Sequence, residues 1–287
     1  MSDIQQDEHL PSRKRLRRDL VEAAKTLSDT EARFLVDSYY TAQDERKRSD
    51  SQIREMREIG EPHLLVGWIA DQSENIENQI KRALEVYTED RLIGRWLKSI
   101  YGIGPVISAG LIAHVDIKLA PTAGHLWSYG GMNPTQVWAK KTKRPWNADF
   151  KTLCWKVGQS FMKFSGAEEC VYGHIYQQRK MEEVARNDSG RNADAAKKAL
   201  AEKNYDKKTD AYKHYMAGHL PPAHVDARAR RFVVKLFLSH FQLVWWYIDT
   251  GNLPPKPYAM EFRGHAHFLM PPNTDIVEGL TEALRKY

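Results

Sequence analysis

Apolar side chains return every three or four residues along most of this chain, and no segment alternates apolar and polar residues clearly enough for a confident strand. A chain written in the helical period can bury its apolar side chains only by packing helix on helix. The spacing predicts helices over 13–27 and 29–48, the second opened by Ser28 or Asp29 as N-cap, with Phe34, Leu35 and Ser38/Tyr39 at helical spacing. Pro62 opens a longer helix carrying Leu65, Ile69, Ile76, Ile80, Leu84 and Tyr87. Leu92, Ile93, Trp96, Leu97 and Ile100 mark another, which stops at Gly102, and Pro105 starts the next with Val106, Ala109, Leu111 and Ile112.

After a loop-rich stretch at 121–135, a Trp-rich helix is expected from Asn147 to Lys163. The last strong helix runs from Asp226 to Asp249, with Phe232, Leu236, His240, Leu243 and Tyr247 on one face. The run Pro257-Tyr-Ala-Met-Glu-Phe is a weak strand reading. The expected class is mostly α: a multi-helix domain containing a helix-hairpin-helix, with an N-terminal helical region. The boundaries read as 1–90 for that region, 91–252 for the hairpin domain and 253–287 for a C-terminal extension. A polar insertion near 186–210 reads as a solvated helical hairpin tip or a mobile insertion.

Composition narrows the class. Hydrophobic residues are 42% and charged residues 28% of the 287 residues, the balance of a globular chain. The apolar runs 64–70 and 232–247 are too short or too interrupted to span a bilayer, so no membrane partner is expected. The N-terminal stretch has no apolar segment, so no secretory signal is expected. Two cysteines, Cys154 and Cys170, exclude a disulfide scaffold and a four-cysteine metal site. The expected location is a reducing cytoplasm.

The net charge of +6 is mild, but its placement is not even. Residues 140–163 hold Lys140, Lys141, Lys143, Arg144, Lys151, Lys156 and Lys163 against the single acid Asp149. Such a window suits phosphate neutralisation. The run Arg13-Lys14-Arg15-Leu16-Arg17-Arg18 reads equally as a solvated helix start.

Upstream of that window, Tyr101-Gly102-Ile103-Gly104 reverses the chain between two apolar helices. Two glycines there permit positive φ and close approach of a partner, and Ile103 points inward as the hairpin's plug. The amides of the new helix, from Pro105 and Val106 onward, can hold a DNA phosphate with the helix dipole behind them. Such a contact positions the backbone and reads no bases. Gly-x-Gly-Pro also occurs in plain helix–helix turns; the apolar flanks and the basic window favour the DNA reading.

These segments resemble the C-terminal domain of the DEDD-type insertion-sequence transposases that use a bridging guide RNA. The resemblance runs from about Arg95 to Gly166 and again from about Tyr172 to Trp246. It is carried by Ser99-Ile-Tyr-Gly-Ile-Gly-Pro-Val-Ile-Ser-Ala-Gly-Leu-Ile-Ala-His-Val-Asp, by Leu126-Trp-Ser-Tyr-Gly-Gly-Met-Asn-Pro, and by Asn147-Ala-Asp-Phe-Lys-Thr-Leu-Cys-Trp-Lys. The helix Ala227-Arg-Ala-Arg-Arg-Phe-Val-Val-Lys-Leu resembles the family's last domain helix. The resemblance implies a nucleic-acid-binding scaffold. Two family features are missing. Residues 1–90 read as helices, which leaves no place for the ribonuclease-H-like domain and its four acidic ligands. Trp138 and Ala139 stand where the family's nucleophilic serine would fall, with Thr135 and Thr142 off register.

The expected function is therefore a DNA-binding protein that grips duplex or locally unpaired DNA through Gly102, Ile103, Gly104 and Val106. Its basic track would be Lys140, Lys141, Lys143, Arg144 and Lys151. Trp138 and Trp146 would stack on bases, whereas Trp127 and Trp155 are expected in the core. The alternative is a glycosylase-like hydrolase, with Asp116 and His114 as catalytic groups acting on a flipped base, whether modified or not. His125 and His174 are further general-base candidates. His265, His267, His219 and His224 lack metal-finger spacing, so neither a metal nor a cofactor is expected. A third reading has the helices of 13–88 forming a homodimerisation bundle.

Overall fold

The computed structural model describes residues 16–61, 64–139, 141–255 and 268–286. Among the described residues the ordered elements are helices, and no strand is present. The first five are α1 (Arg18–Lys25), α2 (Asp29–Glu58), α3 (Leu64–Glu89), α4 (Leu92–Ser99) and α5 (Pro105–His114). Then follow α6 (Ala123–Tyr129), α7 (Ala148–Lys163), α8 (Val171–Asp188), α9 (Ala193–Glu202), α10 (Asp210–Met216), α11 (Pro222–Thr250) and α12 (Leu280–Arg285). Short 3-10 turns occupy Ile117–Leu119 and Thr274–Ile276. None of the described helices is long and apolar enough to cross a membrane.

The chain divides into two compact units: Met1–Arg95 with Gly104–His114, and Trp96–Ile103 with Val115–Tyr287. The chain passes from one unit to the other inside α4, inside the Gly102–Gly104 turn and after α5. In the first unit, α2 and α3 run antiparallel. Tyr87 Oη donates to Asp29 at 2.8 Å near one end, and Arg46 Nε donates to Glu77 at 2.7 Å farther along. Ser28 caps α2 with a full capping box: its hydroxyl accepts the Glu31 N–H while the Glu31 carboxylate accepts the Ser28 N–H. α5 packs against both α2 and α3. It is apolar all round, and Val106 and Ser108 to Ala113 are all buried, as a helix surrounded by others must be. Arg33 donates to the carbonyl of Ala113, satisfying an orphan acceptor at the end of α5.

α2 runs ten residues past the expected end at 48. Apolar spacing thins there, but the ion pair Arg46–Asp50 and the side-chain hydrogen bonds Arg54 to Ser51 and Gln52 to Glu55, about one turn apart, support the helix without it.

In the second unit α11 is the central element, packed by α6, α7 and α8. Its core is aromatic: Phe161 lies 4.8 Å from Tyr172 and 5.4 Å from Phe237, and Trp96 stacks on Phe237 at 6.4 Å. The expected face of α11 needs correction. Phe232 is exposed, and the buried face is centred on Val233, Phe237, His240, Phe241 and Val244. The apolar run is so dense that several faces satisfy the period. A second correction is α6, a two-turn helix inside the stretch expected to be loop; Thr122 sits at its N-cap and Gly130 ends it. The polar segment near 186–210 forms the end of α8 and α9. α9 pairs with α10 over a small core of Ala196, Tyr215, Leu220 and Val225. The weak strand reading at 257–262 lies outside the described residues.

Candidate nucleic-acid interface

The Gly-Gly-Met-Asn-Pro loop after α6, the exposed side of α7 and one face of α11 enclose a groove within the second unit. It consists of two adjoining hollows, of about 430 and 440 Å³, that share Lys151 and Trp155. α7 begins where Asn147 caps it, its side chain accepting the Phe150 N–H at 2.8 Å. The Asn147 N–H in turn donates to Tyr129 O at 2.9 Å, which ties the loop to α6. From that start the helical period places Lys151, Trp155 and Gly158 on one side of α7. The same period places Ala227, Arg231, Val234 and Lys235 on the facing side of α11. Gly131 adopts φ +62°, and a Cβ there would lie 2.8 Å from the Trp146 ring. Only glycine lets Trp146 lie against this loop.

Three cations of the groove are backed by indole rings. Lys151 Nζ lies 4.1 Å from the Trp146 centroid, Lys235 Nζ 4.0 Å from Trp127, and Arg144 Cζ 5.5 Å from Trp138. Trp138 and Trp146 meet edge to face at 6.4 Å. The linings of both hollows contain no Asp or Glu. Arg230 is neutralised by Asp226 at 2.7 Å, but Arg144, Lys151, Arg231 and Lys235 have no carboxylate partner among the described residues. The crowding shows in their protonation. Lys151 is pushed below the ordinary lysine value by partial burial and then by the charges of Arg231 and Arg144. Lys235 is lowered by burial and by Arg231. The arrangement can neutralise an anion and offer flat faces to a planar group.

The expected site residues divide. Arg144, Lys151, Trp138 and Trp146 come together here. Lys141 and Lys143 are exposed on the same loop, and Lys140 lies outside the described residues. Trp155, expected in the core, is 58% exposed, because its side of α7 faces the groove rather than the helices beneath. Trp127 is partly buried and donates to Lys235 O at 3.0 Å. Arg231 and Lys235 were not singled out in the sequence, although their i, i+4 spacing on a basic helix was a readable signal.

At the Gly102–Gly104 turn, Ile103 is buried. Gly102 adopts φ +92°, and its carbonyl accepts the Ser160 hydroxyl. Gly104 does not take positive φ, which corrects the expectation for both glycines; the turn needs only one reversal residue, and the backbone is already ordinary where α5 begins. Val106 is a buried side chain in the first turn of α5, and Ser108 N–H makes that helix's opening bond to Gly104 O at 3.0 Å.

Asp116 is exposed and caps the following 3-10 turn, its carboxylate accepting the Lys118 N–H at 3.0 Å. His114 is the last residue of α5. His125 pairs with Thr122, His219 with Asn187 O and His224 with Tyr215 Oη. Thr135 and Thr142 spend their hydroxyls on Asn133 Oδ1 and Ala139 O, within local turns. Both cysteines are buried, and burial pushes the Cys154 thiol up. Among the described residues no group of three His, Cys, Asp or Glu could hold a metal ion. His265 and His267 lie outside the described residues.

A helical scaffold with a basic, tryptophan-backed groove is the class of structure these residues define, and one segment of the chain is similar to a transposase family. The model of the Transposase IS116/IS110/IS902 family matches residues 94–147, from within α4 through the Gly102–Gly104 turn, α5 and α6 to the cap of α7. No curated protein and no solved structure matches the chain.

Proposed function

We propose that the chain is a DNA-binding protein built on a transposase-derived scaffold, gripping the phosphate backbone with the groove between α7 and α11. The observation that carries this reading is the cluster of Arg144, Lys151, Arg231 and Lys235, which have no carboxylate partners among the described residues and repel one another. A polyanion would relieve that repulsion and displace counterions. The tryptophans behind three of the four cations hold them in place without neutralising them. The helix-hairpin-helix would add a phosphate seat at the amides that open α5, with Gly102 turning the chain and Ile103 anchoring it. All of these contacts are made to the backbone, so binding should depend little on sequence.

The test is fluorescence anisotropy with a labelled duplex at a series of salt concentrations. Affinity should fall log-linearly with salt. The double variant Lys151→Gln, Arg231→Gln should bind more weakly to every sequence, its salt slope shallower by about 0.9 for each phosphate that is no longer neutralised. Unchanged affinity and slope in the folded double variant would remove the groove from the reading. No binding of DNA by the parent chain would remove the reading itself.

A further inference from the structure

We propose that the hollow around Trp155 receives one unpaired base, so that the ligand of this surface is locally single-stranded DNA rather than uninterrupted duplex. This deepens the DNA-binding reading and rests on it. Trp155 projects from the middle of α7, 58% exposed. Trp138, 41% exposed, lines the same hollow, so the open indole of Trp155 is part of a contiguous aromatic patch rather than a lone surface residue. Its N–H has no hydrogen-bond partner among the described residues, whereas those of Trp127 and Trp138 donate to Lys235 O and Thr142 O. Trp138 and Trp146 form the other aromatic walls of the same hollow, so it presents several flat apolar faces. Its volume of about 430 Å³ lies within the range of small-molecule pockets, roughly 300–1,000 Å³.

Charge completes the argument. Lys151 and Arg144 line the hollow and no acid does. The occupant is therefore both flat and anionic, and a nucleotide is both. A base stacked within a duplex offers no face to a side chain, while an unpaired base offers two. Duplex phosphates alone would use the cations and leave Trp155 idle.

Three ligands of one sequence test this with the full-length chain: a duplex, the same duplex with a single extrahelical 2-aminopurine, and the single strand. The parent chain should bind the unpaired forms about tenfold more tightly than the duplex, as expected for stacking one base on an aromatic ring. The 2-aminopurine emission should be quenched on binding. Trp155→Ala should abolish both the preference and the quenching, and Trp155→Phe, which keeps a stacking face, should restore most of each. Circular dichroism checks that both variants fold. Equal affinity for all three ligands, with salt-sensitive binding intact, would overturn this proposal and leave the DNA-binding reading standing. A preference that survives Trp155→Ala would also overturn it. An RNA strand of the same sequence is measured alongside them as a control, and tighter binding of it than of the DNA strand would overturn the assignment to DNA. No binding of any ligand would remove the underlying reading as well.

Discussion

Lys151 and Trp146 hold each other 4.1 Å apart, ammonium to ring centroid, at the point where two hollows of the groove meet. Lys151 has no carboxylate partner among the described residues and is lowered by burial, Arg231 and Arg144 in that order. A lysine whose folded pKa lies below its unfolded value binds protons more weakly in the folded state. The unfolded chain then holds more protons between that lowered value and 10.5, and stability rises with pH across that window. At neutral pH the cost of keeping Lys151 charged is present in full. Lys151→Met should therefore raise Tm at pH 7, and its advantage should shrink as pH climbs toward 10.5. The same variant should lose DNA affinity. Calorimetry at several pH values checks the first effect, and a fall in Tm at pH 7 would show that the Trp146 contact outweighs the repulsion.

His240 predicts the acid limb. Its Nδ1 meets Tyr172 Oη at 2.7 Å and its Nε2 meets Leu269 O at 2.8 Å, deep in the core of the second unit. Burial pushes its pKa down to about 4, although the Leu269 carbonyl acts to raise it. Between the ordinary value of 6.5 and about 4, the unfolded chain takes up a proton that the folded chain refuses, so stability falls as pH falls through that window. The full loss from this group is about 3 kcal/mol, since each pH unit of that window contributes about 1.4 kcal/mol. His240→Gln can keep both hydrogen bonds without titrating. Its Tm should be flatter between pH 6.5 and 4 than that of the parent chain, and parallel profiles would assign the acid limb elsewhere.

Glu183 on α8 is almost fully buried and faces three guanidinium groups. Arg179 bonds to it from the same helix, Arg228 Nε reaches it from α11 at 2.9 Å, and Arg186 lies at 4.0 Å. Removing one member of a buried ionic cluster leaves the remaining charges uncompensated. Glu183→Gln should cost about 3–5 kcal/mol of unfolding free energy. Urea denaturation measures it; a loss below about 1 kcal/mol would mean that the arginines turn to solvent at little cost.

How far the sequence foretold this arrangement depends on how local each signal is. The start of α2 at Ser28 or Asp29, the start of α5 at Pro105 and the start of α7 near Asn147 were legible because a helix start is decided by a few neighbouring residues. α6 was not, because Pro121, Gly124, Gly130 and Gly131 crowd a two-turn helix with breakers and leave Leu126 alone fully buried. Arg144, Lys151, Trp138 and Trp146 could be read as a basic, aromatic cluster in one window of sequence. Arg231 and Lys235 could not be joined to them. They lie about eighty residues away, and only the packing of α11 against α7 brings them to the same groove. Trp155 shows the opposite failure. Its residue type argues for the core, while its exposure depends on which side of α7 the neighbouring helices leave open.

Gly102 and Gly104 differ in what a side chain would meet, so substitutions there can separate stability from the proposed DNA contact. Gly102 has φ +92°, and a Cβ there would lie 3.2 Å from the Ser160 hydroxyl oxygen. Gly102→Ala should therefore destabilise the fold by about 1–3 kcal/mol, the cost of holding a side chain in left-handed backbone. Gly104 has no such requirement, and a Cβ there would meet no atom of the protein within 4 Å. Gly104→Ala should leave thermal stability within about 0.5 kcal/mol of the parent, as for most surface substitutions. If the amides at the start of α5 seat a phosphate, that same methyl group stands where the DNA backbone must approach. Gly104→Ala should then weaken binding to all duplex sequences alike, and Gly104→Arg should weaken it further. Thermal melts and anisotropy on the same preparations separate the two effects. Unchanged affinity in a fully stable Gly104→Arg protein would remove the hairpin from the DNA contact and leave the groove between α7 and α11 to carry it alone.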